Sequence, residues 1–222
     1  MIHVTQNPRS GLPAPLAAKL WLISAAMILL ISSGCVTQQA LHAPVSDAEQ
    51  PIDWVEHVRA LTLLNEWQLQ GKIGFHQQNQ GGSAYINWTQ VDDSFYITLS
   101  GPLGAGTTII SGNDSGARLE SASDGTFIAE SPEQLLYEHT GWYLPLHNLL
   151  YWVKGLPEPR LPAITQFDAQ GYLSKLTQGP WQLDFYRYKN ALDVALPHKI
   201  KITNLDLKVT LIINTWAPLD ES

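Results

Sequence analysis

Cys35 is the only cysteine in the 222-residue chain. A disulfide within the chain is therefore excluded, and the thiol is left for nucleophilic work or for covalent modification. Other candidates for chemistry fail on spacing. The seven histidines are dispersed, with no His-Glu-x-x-His pair and no Cys/His cluster for a metal, so no metal or cofactor is expected. Gly104 and Gly106 are not followed by Gly-Lys-Ser/Thr, which excludes a phosphate-cradling loop of that kind. No serine stands in a Gly-x-Ser-x-Gly turn. The adjacent carboxylates Asp92 and Asp93 read as turn residues rather than as an acid/base pair. Catalysis is not expected of this chain.

The setting of Cys35 gives it a different use. Arg9 and Lys19 precede an uncharged run, Leu20 to Ile31, which ends at Ser32-Ser33-Gly34-Cys35. Twelve apolar residues would reach about 18 Å as a helix, well short of the roughly 30 Å hydrocarbon core, so the run reads as a secretory signal and not as a membrane span. The cysteine at its end resembles a bacterial lipobox, with Ser32 where leucine is usual. That resemblance implies a thiol carrying a diacylglyceryl group, cleavage before Cys35, and an acylated new N-terminus. Several acyl chains anchor a protein durably at about 0.8 kcal/mol per buried methylene. Val36 stands where an aspartate would signal retention in the inner membrane, which points to the outer membrane. Residues 1–34 are thus expected to be a lipoprotein signal peptide and 35–50 a lipidated, flexible tether containing Pro44.

Residues 51–222 are expected to form a single domain. Hydrophobic residues make up 45% and charged residues 15%, enough apolar material for a core under a lightly charged surface. Losing Arg9 and Lys19 would leave 11 basic against 20 acidic residues, a formal charge of −9. So acidic a chain is a poor ligand for nucleic acid. From Pro51 to Asn65 apolar residues recur every three to four positions, as in an amphipathic helix. Period-two alternation then predicts strands at 67–76, 84–89 and 95–100, with Gly81-Gly82, Asp92-Asp93 and 101–104 as turns. Shorter strands fit 107–112, 117–122 and 126–129. Ser131-Pro132 with Gln134 predicts a helix opened by a capping box, and a second helix is expected at 146–154, ending at Gly155. After a Pro-rich link at 157–162, strands resume at 173–177, 181–188, 198–203 and 205–215. Lys199, Lys201 and Lys208 read either as the solvated face of the last two or as a basic stripe for anionic headgroups or an acidic partner. The expected fold is mainly β: a curved antiparallel sheet forming an unclosed barrel, with a helical lid. Periodicity leaves open whether its interior is filled.

Several segments together resemble the LolB family of outer-membrane lipoprotein receptors. They are Ser83-Ala84-Tyr85-Ile86-Asn87-Trp88, Gly101-Pro102-Leu103-Gly104, Thr140-Gly141-Trp142-Tyr143-Leu144-Pro145-Leu146, and Trp152 with Gly155-Leu156-Pro157. The resemblance implies a LolA/LolB-like half-open barrel over an apolar cavity, anchored through Cys35 and facing the periplasm. The implied partners are a LolA-like periplasmic carrier, acylated lipoprotein cargo and outer-membrane lipid, with the protein itself a monomer. A loop at Pro102, Leu103 and Gly104 would assist membrane insertion. Trp67, Trp88, Trp142 and Trp152, with Leu146 and Leu149, would line or gate the cavity. The alternative is a structural outer-membrane lipoprotein that scaffolds an envelope complex with a filled interior, and the presence of a cavity separates the two.

Overall fold

Asp53 sets where the first helix begins. Its carboxylate accepts hydrogen bonds from the backbone N–H groups of Val55 and Glu56 at 2.9 and 3.3 Å, satisfying donors that have no partner inside the helix. Helix α1 is therefore Trp54–Leu63, shorter at both ends than the apolar period predicts. The structure, a computed structural model, describes residues 52–101, 106–140 and 143–219, all within one unit spanning Glu49–Ser222. The expected signal 1–34, Cys35 with its tether, Pro102, Leu103, Gly104 and Trp142 lie outside the described residues.

Among the described residues eleven strands form one antiparallel sheet. They are β1 Glu66–Gln77, β2 Gln80–Val91, β3 Ser94–Ser100, β4 Thr108–Asn113, β5 Gly116–Ser121, β6 Gly125–Ala129, β7 Ile164–Phe167, β8 Leu173–Gln178, β9 Trp181–Ala191, β10 Val194–Asn204 and β11 Leu207–Ala217. The order runs β6-β5-β4-β3-β2-β1-β11-β10-β9-β8-β7, and no pairing joins β6 to β7, so the barrel is unclosed. Two meanders thus meet where β1 pairs with β11, Gln68 opposite Ala217.

That order dictates the path of the helices. β6 ends at one edge of the sheet and β7 begins at the other, so the residues between them must cross it. They cross the face that carries Ile86, Trp88, Ile97 and Leu211, bearing α2 (Pro132–Thr140) and α3 (Leu146–Trp152). Ser131 caps α2, its hydroxyl accepting from the N–H of Gln134 at 3.1 Å. The expected capping box is incomplete, because the Gln134 side chain donates forward to Glu138 at 2.8 Å. Pro145 gives α3 no side-chain cap, and Glu133 from α2 supplies one instead, accepting from the N–H of His147 at 3.0 Å. The two helices are joined by that carboxylate.

Most turns are tighter than the composition suggests. Pairing of Gln77 with Gln80, Val91 with Ser94, Ala191 with Val194 and Asn204 with Leu207 leaves two-residue hairpin loops. Leu192 and Asp193 both have positive φ (53° and 62°), the twist that matches flanking strands. Leu205 belongs to such a loop and not to the last strand, and it is 92% exposed despite its apparent alternation. Gly81 and Gly82 lie inside β2, opposite His76 and Phe75, and the turn falls at Gln78-Asn79. The reason is packing: a Cβ on Gly82 would sit 2.7 Å from the Phe75 ring. β7 was not anticipated. It is a short edge strand with Ile164 and Phe167 exposed, so it shows no buried alternation.

Candidate functional site: an apolar cavity under the lid

The inward face of the sheet and the crossing helices do not fill the space between them. A cavity of about 120 Å³ remains, bounded on the sheet side by Ile73, Phe75 and Ala84, by Ile86, Trp88 and Ile97, and by Leu99, Ile110, Ile202, Val209 and Leu211. From the lid come Leu136 of α2, Leu144 before α3, Leu146 and Leu149 of α3, and Val153. Every lining residue is apolar. Small aliphatic cavities of this kind stay dry and accept apolar guests, since water in them would forgo its hydrogen bonds. Gly82 helps to keep the space open, because the Phe75 ring can lie against the strand only where a side chain is missing.

The expected site residues fall into three groups. Trp88, Leu146 and Leu149 line the cavity. Trp67 and Trp152 are buried but are not among the lining residues. Trp67 packs between Trp88 and Trp216, with ring centroids 5.2 Å from each, and so backs the cavity wall. Trp152 secures the root of the lid. Its indole N–H donates to Oε1 of buried Gln178 at 2.8 Å, and that same oxygen accepts from the N–H of Glu158 at 2.9 Å. The Gln178 amide in turn donates to the carbonyls of Glu158 and Leu161 at 2.9 and 3.2 Å. Trp142, Leu103 and Cys35 lie outside the described residues.

Sequence reasoning named Trp152 but missed the other residues that hold the lid. Lys154, just beyond α3, is buried, and its Nζ donates to the carbonyls of Leu61 and Leu64 at 3.0 and 3.1 Å. Both carbonyls lie at the end of α1, where that of Leu61 also accepts from the Leu64 N–H at 3.3 Å and a cation is favoured by the helix dipole. Burial pushes the Lys154 ammonium down to about 8. Next to Gly155, beyond the end of α3, Tyr188 donates to the carbonyl of Leu173 at 2.9 Å and stacks on Tyr172. Burial raises its phenol pKa, and its oxygen occupies the space where a side chain on Gly155 would project, 2.5 Å away. A buried lysine with no acidic partner among the described residues gives no pattern in sequence, so only the contact itself reveals it.

Beside the apolar cavity, sharing Trp88, Ile97 and Leu146 with it, lies a polar hollow of about 410 Å³. Asp93, Asp114, Glu130, Glu133, His147 and Arg160 are among its lining residues. Arg160 is held by Glu158, whose Oε1 accepts from the guanidinium Nε at 2.7 Å, and it also contacts His147. Among the described residues no group of three or more His, Cys, Asp or Glu is placed to hold a metal. No described helix is long and apolar enough to cross a membrane.

Comparison with known proteins agrees with this architecture. The family model "Outer membrane lipoprotein LolB" matches residues 65–216. The outer-membrane lipoprotein LolB of Pseudomonas aeruginosa strain LESB58 is 38% identical over 200 residues, covering 90% of this chain and 97% of that protein. Its counterpart in Stutzerimonas stutzeri strain A1501 is 37% identical over 191 residues, covering 86% and 92%. Among solved structures, a domain described as that of an outer membrane lipoprotein-sorting protein from Vibrio parahaemolyticus superposes with a TM-score of 0.51. It has 9% identity over 76% of this chain and 93% of that one, a likeness of fold alone.

Proposed function

The chain belongs to the outer membrane lipoprotein LolB family, and on that premise we propose that it is an outer-membrane receptor for lipoproteins and not an enzyme. In this reading Cys35 carries the acyl anchor, residues 35–50 tether the domain on the periplasmic side, and residues 51–222 receive lipoproteins from a soluble LolA-like carrier. The cargo's acyl chains enter the apolar cavity and leave it for the membrane, assisted by the loop at Pro102, Leu103 and Gly104. The observation that carries the reading is a cavity lined by apolar residues alone beneath a helical crossing. A scaffold with a filled interior would have no use for it.

The energetics need no fuel. A tenfold preference of acceptor over donor takes about 1.4 kcal/mol. At roughly 25 cal/mol per Å² that corresponds to a modest difference in buried apolar area. The cavity compares in size with dry cavities that take one benzene-sized guest, so loading whole acyl chains requires the helical crossing to lift from the sheet. Lys154 and Gln178 hold the α3 end of that crossing, which makes the α2 end the one that moves.

Two substitutions in the full-length protein test the reading. Leu149→Trp fills the cavity and should abolish uptake of a fluorescent acyl-lipid probe and of carrier-bound lipoprotein. Leu103→Glu should leave uptake intact while slowing delivery to vesicles. Normal uptake by the filled variant would refute the cavity role, and normal delivery by the glutamate variant would refute the loop role.

A further inference from the structure

The outer face of the sheet, opposite the cavity, carries a feature that lipoprotein transfer does not use. Strand register places Tyr85 opposite Lys72, Lys72 opposite Ile212, Ile212 opposite Lys199, and Lys199 opposite Tyr186. These five side chains form one row across β2, β1, β11, β10 and β9. Lys72 Nζ lies 5.2 Å from the centre of the Tyr85 ring, and the Nζ atoms of Lys199 and Lys201 lie 5.4 and 5.6 Å from that of Tyr186. The apolar members are open to solvent: Tyr85 is 50%, Tyr186 39% and Ile212 38% exposed. In a chain that is acidic as a whole, β2, β1, β11 and β10 contain no acidic residue except Glu66 at the start of β1, and β9 contributes Asp184, opposite Lys201. Among the described residues neither ion pair involves these lysines.

At the Tyr85 end the row adjoins a depression of about 300 Å³ lined by Gln70, Asn87, Thr98, Ser100 and Asn214 beside Tyr85. A β-bulge makes it: Gln70 pairs with Thr215 and Gly71 with Ile213, which leaves Asn214 without a partner in the β1–β11 register. Gly71 is required there, because any Cβ would sit 2.0 Å from the carbonyl oxygen of Ile212. Amide and hydroxyl groups therefore line a hollow next to a lysine–tyrosine row.

We propose that this outer face binds the anionic headgroups of membrane phospholipids. Tyrosines with an apolar body and a polar tip favour the membrane–water interface, and lysines beside them extend to phosphate. The hollow offers uncharged hydrogen-bond donors to a headgroup. An acidic protein would also meet the lysines and tyrosines, so the test below separates it from the membrane, which an acyl anchor would hold within constant reach of this face. Each lysine near an anionic surface is worth about fivefold in association, so Lys72 and Lys199, which face no carboxylate in the strand register, together amount to about thirtyfold, and Lys201 opposite Asp184 adds less. A 16-residue tether reaches up to about 50 Å when extended, enough to let the sheet lie on the bilayer. The proposal takes the outer-membrane setting from the function proposed above but not the cavity.

The test uses the full-length protein reconstituted in vesicles of phosphatidylcholine alone or with phosphatidylglycerol, and a membrane-impermeant amine-acylating reagent read residue by residue. Lys72, Lys199 and Lys201 should label about tenfold more slowly on the phosphatidylglycerol vesicles, with high salt restoring the rate and Lys189 serving as the unaffected reference. The Lys72→Glu/Lys199→Glu double variant should remove the protection of Lys201 while still taking up the acyl-lipid probe. Equal labelling on both vesicles overturns the proposal. Protection that appears only when an acidic periplasmic carrier is added overturns it in favour of a protein interface. Probe uptake is measured in the same samples, so failure of the cavity reading is seen separately.

Discussion

At the scale of single residues, the tryptophans show what alternation can and cannot reveal. Trp67, Trp88 and Trp152 are all buried, as their positions in strand and helix patterns require, yet only Trp88 reaches the cavity. Period two separates inside from outside but does not separate a wall from what stands behind it. Trp152 carries a polar duty that its apolar period conceals, since its indole N–H completes the Gln178 network. Trp152→Phe keeps the ring and removes the donor, leaving a buried acceptor one hydrogen bond short. Calorimetry should show a loss of about 1–3 kcal/mol in unfolding free energy, with acyl-probe affinity changed little. A large loss of affinity would mean that Trp152 belongs to the cavity after all.

Elements were more legible than their ends. The helices and ten of the eleven strands follow from period and capping residues, because each element has one buried face to mark it. β7 escaped because an edge strand with both faces wet has no such mark, and Leu205 misled because a two-residue loop continued the alternation into solvent. The cavity was not legible at all: volume depends on how faces meet, and the family likeness supplied that expectation. α1 carries a testable consequence of its own. His57 is buried between Trp54 and Tyr172, with its Nε2 unpartnered in the structure, and burial lowers its pKa below the ordinary value near 6.5. A histidine held neutral in the fold but free to protonate when unfolded makes the unfolded state bind more protons as pH falls. Stability should therefore decline as pH drops through 6.5 and level off only below the lowered folded value. His57→Leu should remove that slope in denaturant titrations across the same window, and an unchanged slope would show that other groups cause it.

For the whole molecule, the crossing between the two sheet edges makes the cavity and the stability of the fold two sides of one equilibrium. A guest that binds only the folded chain stabilises it by about 2.7 kcal/mol at a hundred times its dissociation constant. For a domain of this size that is on the order of a 5–10 °C rise in Tm. A long-chain acyl ligand should produce such a rise in the parent protein and none in Leu149→Trp. An equal rise in both would place the ligand elsewhere.

The meeting of β1 with β11 also governs how this chain comes to fold. Partners such as Gln68 and Ala217 lie nearly 150 positions apart, at the middle of the sheet and not at its rim. Each meander can zip locally, but the seam between them must wait for the last strand, so closing that long loop is the slow event. Whatever route brings the polypeptide to its destination, its two halves stay separate, with greasy inner surfaces uncovered, until Leu207–Ala217 arrives. A carboxy-terminal truncation there would split the sheet in two instead of trimming an edge, and a helper that shields those surfaces in transit would be needed until the seam closes.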